Sequence, residues 1–229
     1  NKLKAYVNSL GIRMIGDIPI YVAMDSADAW ANPSLFQLDE KNVPYAVAGC
    51  PPDGFSATGQ LWGNPLYRWE YHRQTGYEWW LKRLSHCFKL YDAVRIDHFR
   101  GFDQYYSIPY GAEDATRGHW EQGPGIDLFN RVRQVLGEKE VIAEDLGYVT
   151  DSVRKLVYDS GFPGMKVLEF AFDSRDSGCA NDYLPHNYPE NSVAYTGTHD
   201  NETLAGWFDS ITKEEQNMVR DYLCDHYTP

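Results

Sequence analysis

Short apolar segments rich in β-branched residues alternate with helix-length segments along the chain. We predict strands at five places, which are residues 12–22, 93–99, 140–147, 165–173 and 192–201. Apolar residues at helical spacing predict helices at residues 1–11, 77–91, 127–137, 150–161 and 212–223. Strands that alternate with helices form βαβ units with parallel strands. The alternation predicts an α/β fold, and both an open sheet and part of an eight-stranded barrel satisfy it.

Local signals refine this organisation. Thr150 is placed to cap one helix, and Thr212 and Glu215 have the spacing of a capping box. Residues 25–75 are rich in Pro, Gly, Asn and Trp and show no regular period, so we predict a long loop insertion there. No repeat or low-complexity linker divides the chain. We therefore expect residues 1–229 to form a single domain.

Charge and cysteine usage limit the partners of the chain. The formal net charge is −12, which argues against nucleic acid as a partner because phosphate backbones bind basic surfaces. The four cysteines are far apart and form no CxxC pair, which favours a reducing, cytoplasmic compartment. The sequence has no apolar run of membrane-spanning length and no signal-peptide pattern at its start. We expect a soluble protein with no membrane partner.

Charged residues collect towards the C-terminal end of each predicted strand. These residues are Asp17, Arg95, Asp97, Glu144, Asp145, Asp173, His199 and Asp200. In parallel α/β proteins the ligand binds at the C-terminal ends of the strands. The shared position therefore predicts that these side chains surround one site.

Two of the acids are expected to have different protonation states. Side chains alternate along a strand, so Arg95 and Asp97 point to the same face, where the guanidinium would keep the carboxylate ionised. Glu144 follows three apolar residues, and burial would keep its proton on. Such a pair suits a nucleophile and a general acid. A buried Arg–Asp pair without chemistry, and a strand-end acid that caps the next helix, also fit these patterns.

His199 and Asp200 suit the binding of sugar hydroxyls, and Asp200 also suits the stabilisation of a cationic transition state. A metal site is the alternative, because each of the segments IDH and THD places one His beside one Asp. No HxH or HxxxH pair is present, so we expect neither a metal nor another cofactor.

Taken together, several segments resemble the 4-α-glucanotransferases, or amylomaltases, of glycoside hydrolase family 77. They are GDIPIYVAMDSADAW (16–30), PPDGFSATGQLWGNPLYRWE (51–70), VRIDHFRGF (94–102), VIAEDLG (141–147), GFPGMKVLEFAFD (161–173), LPHNYPENSVAYTGTHDN (184–201) and GW (206–207). VRIDHFRG, AEDLG and THDN are shared in looser form with the wider α-amylase clan. GQLWGNPLYRWE is what separates this family from the amylases.

The resemblance implies a (β/α)8 barrel that transfers segments between α-1,4-glucans or maltooligosaccharides. Carried over by position, it gives Asp97 the role of nucleophile, Glu144 that of acid/base and Asp200 that of transition-state stabiliser. The substrate-binding positions that it implies are Asp17, Phe55, Trp62, Asn64, Arg95, His98, Asp173 and His199. Phe55, Trp62 and Asn64 match the loop over the acceptor side, and His98 and Asp173 match positions near the donor-side sugars.

The length of the chain departs from the family pattern. The five predicted strands match about strands three to seven of the barrel, so we expect a truncated piece whose barrel is not closed. Open sheet edges invite pairing with other strands, so we expect oligomerisation through those edges. The alternatives to a transferase are a hydrolytic enzyme of the α-amylase clan, a non-catalytic glucan-binding fragment and a metal-dependent barrel enzyme.

Overall fold

The computed structural model describes residues 2–53, 56–147, 149–174 and 180–225. The described residues form nine strands, which are β1 (Ile15–Ile18), β2 (Ala46–Cys50), β3 (Gln60–Pro65), β4 (Ala93–Ile96), β5 (Gln104–Pro109), β6 (His119–Gln122), β7 (Val141–Ala143), β8 (Gly164–Val167) and β9 (Ser192–Tyr195). They also form eight α-helices, which are α1 (Lys2–Ser9), α2 (Ala27–Ala31), α3 (Trp69–Gln74), α4 (Glu78–Leu90), α5 (Ile126–Leu136), α6 (Asp151–Ser160), α7 (Leu204–Ser210) and α8 (Lys213–Leu223).

The chain divides into two compact units. The first contains residues 1–145 and 149–163, and the second contains residues 146–148 and 164–229. The expectation of a single domain stays a prediction.

A parallel sheet lies at the centre of the first unit. Its strands β1, β4 and β7 are neighbours in that order, with Asp17 opposite Arg95 and Val94 opposite Val141. Every residue of β4 and β7 is buried, as expected for strands covered on both faces. Helix α4 adds Trp80 to the same core. The predicted strands 12–22, 93–99 and 140–147 are therefore confirmed, with shorter bounds.

A second sheet of the first unit is antiparallel and was not apparent from the sequence. Its order is β3–β2–β5–β6. Strand β2 pairs with β5, which lies about sixty residues further on, with Ala46 opposite Pro109. Residues 25–75, predicted as a loop insertion, thus contain α2, β2, β3 and α3. Pairing between distant short segments leaves little local signal, because the partner strand supplies the stabilisation.

The second unit contains a parallel pair of strands. Strand β8 pairs with β9, with Gly164 opposite Ser192 and Val167 opposite Tyr195. The predicted strand 165–173 was too long, because residues Leu168–Phe172 form a 3-10 helix. One bond continues past the paired residues, from the Glu169 N–H to the Thr196 carbonyl at 3.1 Å.

The helix predictions are confirmed to within a few residues. The Thr150 hydroxyl accepts a hydrogen bond from the Val153 N–H at the start of α6. Thr212 and Glu215 form the predicted capping box of α8, in which each side chain bonds to the other residue's backbone N–H. Within the described ranges, no helix is both long and apolar enough to cross a membrane.

Candidate active site

Arg95 is the centre of a carboxylate cluster in the first unit. Its Nη1 donates to both carboxylate oxygens of Asp17, at 2.8 and 2.9 Å, and its Nη2 donates to Asp97 Oδ1 at 3.1 Å. The predicted contact between Arg95 and Asp97 is therefore confirmed. The stronger contact with Asp17 comes from the register of β1 and β4, which the sequence does not reveal.

The cluster combines a buried cation with two partly hydrated anions. Arg95 is only 8% exposed, whereas the side chains of Asp17 and Asp97 are 44% and 42% exposed. Burial opposes the charge of Arg95, but the hydrogen bond and charge of Asp17 and the charges of Asp97 and Glu144 outweigh it, so the pKa of Arg95 is raised. The guanidinium is a permanent positive charge beside Asp97.

The turn after β4 brings Glu144 to the residue next to Asp97. His98 has a left-handed backbone, with φ +52° and ψ +49°. Its N–H donates to Glu144 Oε2 at 2.6 Å. The backbone of Glu144 also holds the turn, because its N–H bonds to the Ile96 carbonyl and its carbonyl accepts from the Phe99 N–H. The two acids predicted to act together therefore lie at one turn.

This contact also orients the Glu144 carboxyl group. An oxygen that accepts a backbone N–H bond is poorly placed to carry a proton of its own. In the acid form, the proton would therefore be carried by Oε1. The sequence analysis predicted only apolar surroundings for Glu144. It did not predict the hydrogen bond from the His98 N–H.

The ring of Trp62 on β3 packs against the ring of His98. The two ring centres are 4.8 Å apart and the planes are nearly perpendicular, at 86°. Burial, with a smaller contribution from the Arg100 charge, lowers the pKa of His98 to about 3, so the imidazole is neutral at physiological pH. Nearby on β3, Asn64 donates from Nδ2 to the Val22 carbonyl at 2.9 Å.

Cys50 at the end of β2 lies in the electrostatic field of the same carboxylates. Burial raises the pKa of its thiol to about 11. The Arg100 charge opposes this shift, and the charges of Asp53, Glu144 and Asp97 add to it. The thiol is therefore protonated at neutral pH and is a poor nucleophile. Sequence reasoning did not associate Cys50 with the site.

Asp200 and His199 lie in the second unit, on the turn after β9 and not at the end of a strand as predicted. Their side chains are 70% and 64% exposed, and His199 Nε2 is 3.4 Å from Asp200 Oδ2. The turn follows because β9 ends at Tyr195, where its pairing with β8 stops. Asp173, also predicted at a strand end, follows the 3-10 helix of the same unit and is half-buried.

Two further points of the sequence analysis concern Phe55 and the alternative of a metal site. Phe55 lies outside the described residues. In the part of the chain that the structure describes, no group of three or more His, Cys, Asp or Glu side chains is arranged to hold a metal ion.

Comparison with known proteins gives consistent matches over the whole chain. The sequence profile of the 4-alpha-glucanotransferase family matches residues 1–228. The chain is 52% identical to the 4-alpha-glucanotransferase of Clostridium butyricum, covering 96% of this chain and 45% of the relative. It is 51% identical to that of Thermus thermophilus, covering 97% and 44%. The chain thus spans less than half the length of these curated relatives.

A solved structure matches at the level of the fold as well. The amylomaltase from Streptococcus agalactiae in complex with acarbose superposes with a TM-score of 0.93 at 44% identity. The match covers 100% of this chain and 45% of the amylomaltase chain. The predicted fold, part of a (β/α)8 barrel, is confirmed by this match.

Proposed function

Because the chain belongs to the 4-alpha-glucanotransferase family, glycoside hydrolase family 77, we propose that it carries the catalytic residues of a retaining transglycosylase acting on α-1,4-glucans. The observation that carries the proposal is the bond between the His98 N–H and Glu144 Oε2. It holds a carboxyl group beside the residue that follows Asp97, and a retaining mechanism needs two carboxyl groups about 5–5.5 Å apart.

In the first step, Glu144 gives its proton to the glycosidic oxygen while a carboxylate oxygen of Asp97 bonds to the anomeric carbon. The glycosidic bond breaks, and the leaving glucan departs with a new 4-hydroxyl group. The product is a covalent glycosyl ester on Asp97. Arg95 supports this role because a buried cation beside Asp97 favours the ionised carboxylate, which is the nucleophilic form.

In the second step, the 4-hydroxyl of an acceptor glucan attacks the anomeric carbon. Its proton passes to Glu144, now a base, and the ester bond to Asp97 breaks. The net reaction exchanges one α-1,4 bond for another and needs no cofactor. Water in place of the acceptor would give hydrolysis.

Asp200 is proposed as the stabiliser of the oxocarbenium-like transition state. This role rests on the family resemblance of THDN, residues 198–201, and not on a distance. Asp17, Asn64, His98, Asp173 and His199 are proposed as substrate-binding positions on the same basis. His98, neutral and packed on Trp62, would offer a hydrogen bond to a sugar hydroxyl without a charge.

Trp62 and Phe55 are proposed to favour transfer over hydrolysis by excluding water on the acceptor side. The contact of Trp62 with His98 supports this role, because it places an indole next to the turn that carries Asp97. Flat aromatic faces also suit the C–H faces of sugar rings. Substitution Trp62→Ala should raise the ratio of hydrolysis to transfer, whereas Trp30→Ala, a change of an indole that is 85% exposed, should not. Equal ratios in the two variants would remove the role.

Incubation of the full chain with maltotriose tests the proposed reaction. Transfer produces glucose together with a ladder of longer glucans, while hydrolysis produces only shorter sugars. Glucose without longer products would replace the transferase by a hydrolase. If calorimetry shows that the chain binds maltoheptaose but the maltotriose incubation gives no product, the chain is a non-catalytic glucan-binding protein.

The cellular location and the self-association of the protein are also proposals. Cys50, Cys87 and Cys224 are free thiols, which fits a reducing cytoplasm. Among the described strands of the first unit, β1 has a single neighbour, β4, so one of its edges is available for pairing. We expect self-association through this edge. A monomer by size-exclusion chromatography with light scattering would exclude it.

A further inference from the structure

Glu169 is a buried carboxyl group that the proposed mechanism does not use. It lies in the 3-10 helix Leu168–Phe172 of the second unit and is only 3% exposed. Among the described residues, its Oε1 is buried without a hydrogen-bond partner. A buried oxygen without a hydrogen-bond partner is energetically unfavourable, and most buried polar atoms in proteins are paired. The position of Glu169 therefore requires an explanation.

The carboxyl group of Glu169 packs against the backbone of Gly197. A Cβ atom at position 197 would lie 2.7 Å from Glu169 Oε1 and 2.9 Å from Oε2. Any residue other than glycine would therefore push the carboxyl group away. The Glu169 N–H also bonds to the carbonyl of Thr196, the residue before Gly197, at 3.1 Å. Glu169 thus holds this strand end through both its backbone and its side chain.

Gly197 directly precedes the turn of residues 198–201, which carries His199 and Asp200. The turn is closed by Asn201, whose Oδ1 accepts from the N–H and the hydroxyl of Thr198, both at 2.8 Å. The Thr198 hydroxyl in turn accepts from the Asp200 N–H at 3.3 Å. Since these bonds make the turn one unit, a shift at Gly197 would move Asp200 with it.

The surroundings favour the neutral form of Glu169. Burial raises the pKa of its carboxyl group, and the charge of Glu202 raises it further. A protonated carboxyl group is a compact neutral surface of the same shape as a glutamine amide.

We propose that Glu169, through the packing of its carboxyl group on Gly197, is a positioning residue that sets the place of the turn carrying Asp200. The inference rests on the proposed function for its effect on turnover, because Asp200 is the group that it would place. The contact between Glu169 and Gly197 does not depend on that function.

The first test compares Glu169→Ala with Glu169→Gln in the maltotriose assay on the full chain. Removal of the side chain should lower kcat about 10- to 100-fold, as expected for a misplaced group, with little change in KM. The neutral isostere should restore kcat to near the original value. A wild-type kcat in Glu169→Ala, or an equal loss in the glutamine variant, would overturn the proposal.

The second test uses Gly197→Ala, which displaces the carboxyl group from the other side. It should lower kcat to a similar extent as Glu169→Ala. The double variant Gly197→Ala/Glu169→Ala should lose less than the product of the two single losses, because the space for the new methyl group is then already present. Multiplicative losses would mean that the two residues act independently.

Hydrogen exchange of the peptide covering residues 196–203 supplies a readout that needs no activity. Exchange should be faster in Glu169→Ala, unchanged in Glu169→Gln and unchanged in the control Glu190→Ala, an exposed glutamate of the same unit. If the parent chain makes no transfer products, the proposed function fails, and the exchange result still decides whether Glu169 positions the turn. Unchanged exchange in Glu169→Ala would reject the positioning.

Discussion

Asp97 and Asp200 have the same side chain but are held in different ways. Asp97 follows a fully buried strand and bonds to Arg95, a buried guanidinium that also binds Asp17. Asp200 is on a turn closed by Thr198 and Asn201, and its side chain is 70% exposed. A buried positive charge holds the first carboxylate, whereas hydrogen bonds within a turn hold the backbone that carries the second. This difference suits the roles proposed for the two residues, since the nucleophile must form a covalent bond and the stabiliser acts only through its charge.

The largest effect should come from the two acids themselves. Asp97→Asn removes the proposed nucleophile and should lower kcat by roughly 10⁴-fold or more. Asp200→Asn removes an electrostatic contribution and should cost about 10²- to 10³-fold. The measurement is glucose release from maltotriose, with the exposed Asp209→Asn as the control. Activity of Asp97→Asn equal to the control would remove it from the mechanism, and equal losses in the first two variants would end the distinction between them.

Removal of the buried cation should test how strongly the first site depends on charge. Arg95→Met should lower the free energy of unfolding by about 2–3 kcal/mol, because Asp17 and Asp97 both lose the ion pair with the guanidinium. The loss is limited because both carboxylates are partly exposed to water. Arg13→Met should cost less than about 1 kcal/mol, since Arg13 and its partner Glu140 form an exposed ion pair. Urea denaturation provides the comparison. Equal losses would show that burial of Arg95 adds nothing.

The histidine next to Asp97 should make the stability of the chain depend on pH. Burial lowers the pKa of His98 to about 3, below the ordinary histidine value of about 6.5, so the unfolded chain binds a proton that the folded chain resists. Stability from this group is complete above pH 6.5 and is lost as the pH falls towards 3. We expect His98→Gln to reduce the loss of unfolding free energy between neutral and acidic pH by about 2 kcal/mol.

The measurement is urea denaturation of the parent chain and of His98→Gln at several pH values between neutral and acidic. An unchanged pH dependence in the His98 variant would mean that the ring is hydrated in solution.

The smallest expected effect concerns the turn that holds Asp200. Asn201→Ala removes the oxygen that accepts two bonds from Thr198 and should cost about 1 kcal/mol of unfolding free energy, together with a loss of kcat. Asn187→Ala, which alters an exposed side chain of the same unit, should preserve kcat. If Asn201→Ala keeps full activity, the backbone turn is not what places Asp200.

The sequence predicted the contacts that depend on local geometry. Side-chain alternation was enough to place Arg95 beside Asp97, and residue spacing was enough to place Thr212 against Glu215. The same reasoning placed Asp97 directly after β4 and Glu144 directly after β7.

Contacts that depend on the register between distant segments could not be predicted in this way. The bond from Arg95 to Asp17 needs the alignment of β1 with β4, and the pairing of β2 with β5 joins segments that share no local pattern. The sequence also predicted a strand at Glu169. The pairing of β8 with β9 ends at Val167, and residues Leu168–Phe172 form a 3-10 helix. The unpredicted parts are those for which the partner determines the structure.

Several structural requirements meet at His98, and together they restrict which residues this position can accept. Its left-handed backbone disfavours β-branched residues, its N–H orients Glu144, and its ring fills the space beside Trp62. Glycine would satisfy the first two demands and fail the third, whereas a large aliphatic residue would strain the turn. A replacement for His98 must therefore keep the left-handed backbone and also fill the space beside Trp62, so this one position constrains how the turn after β4 can vary.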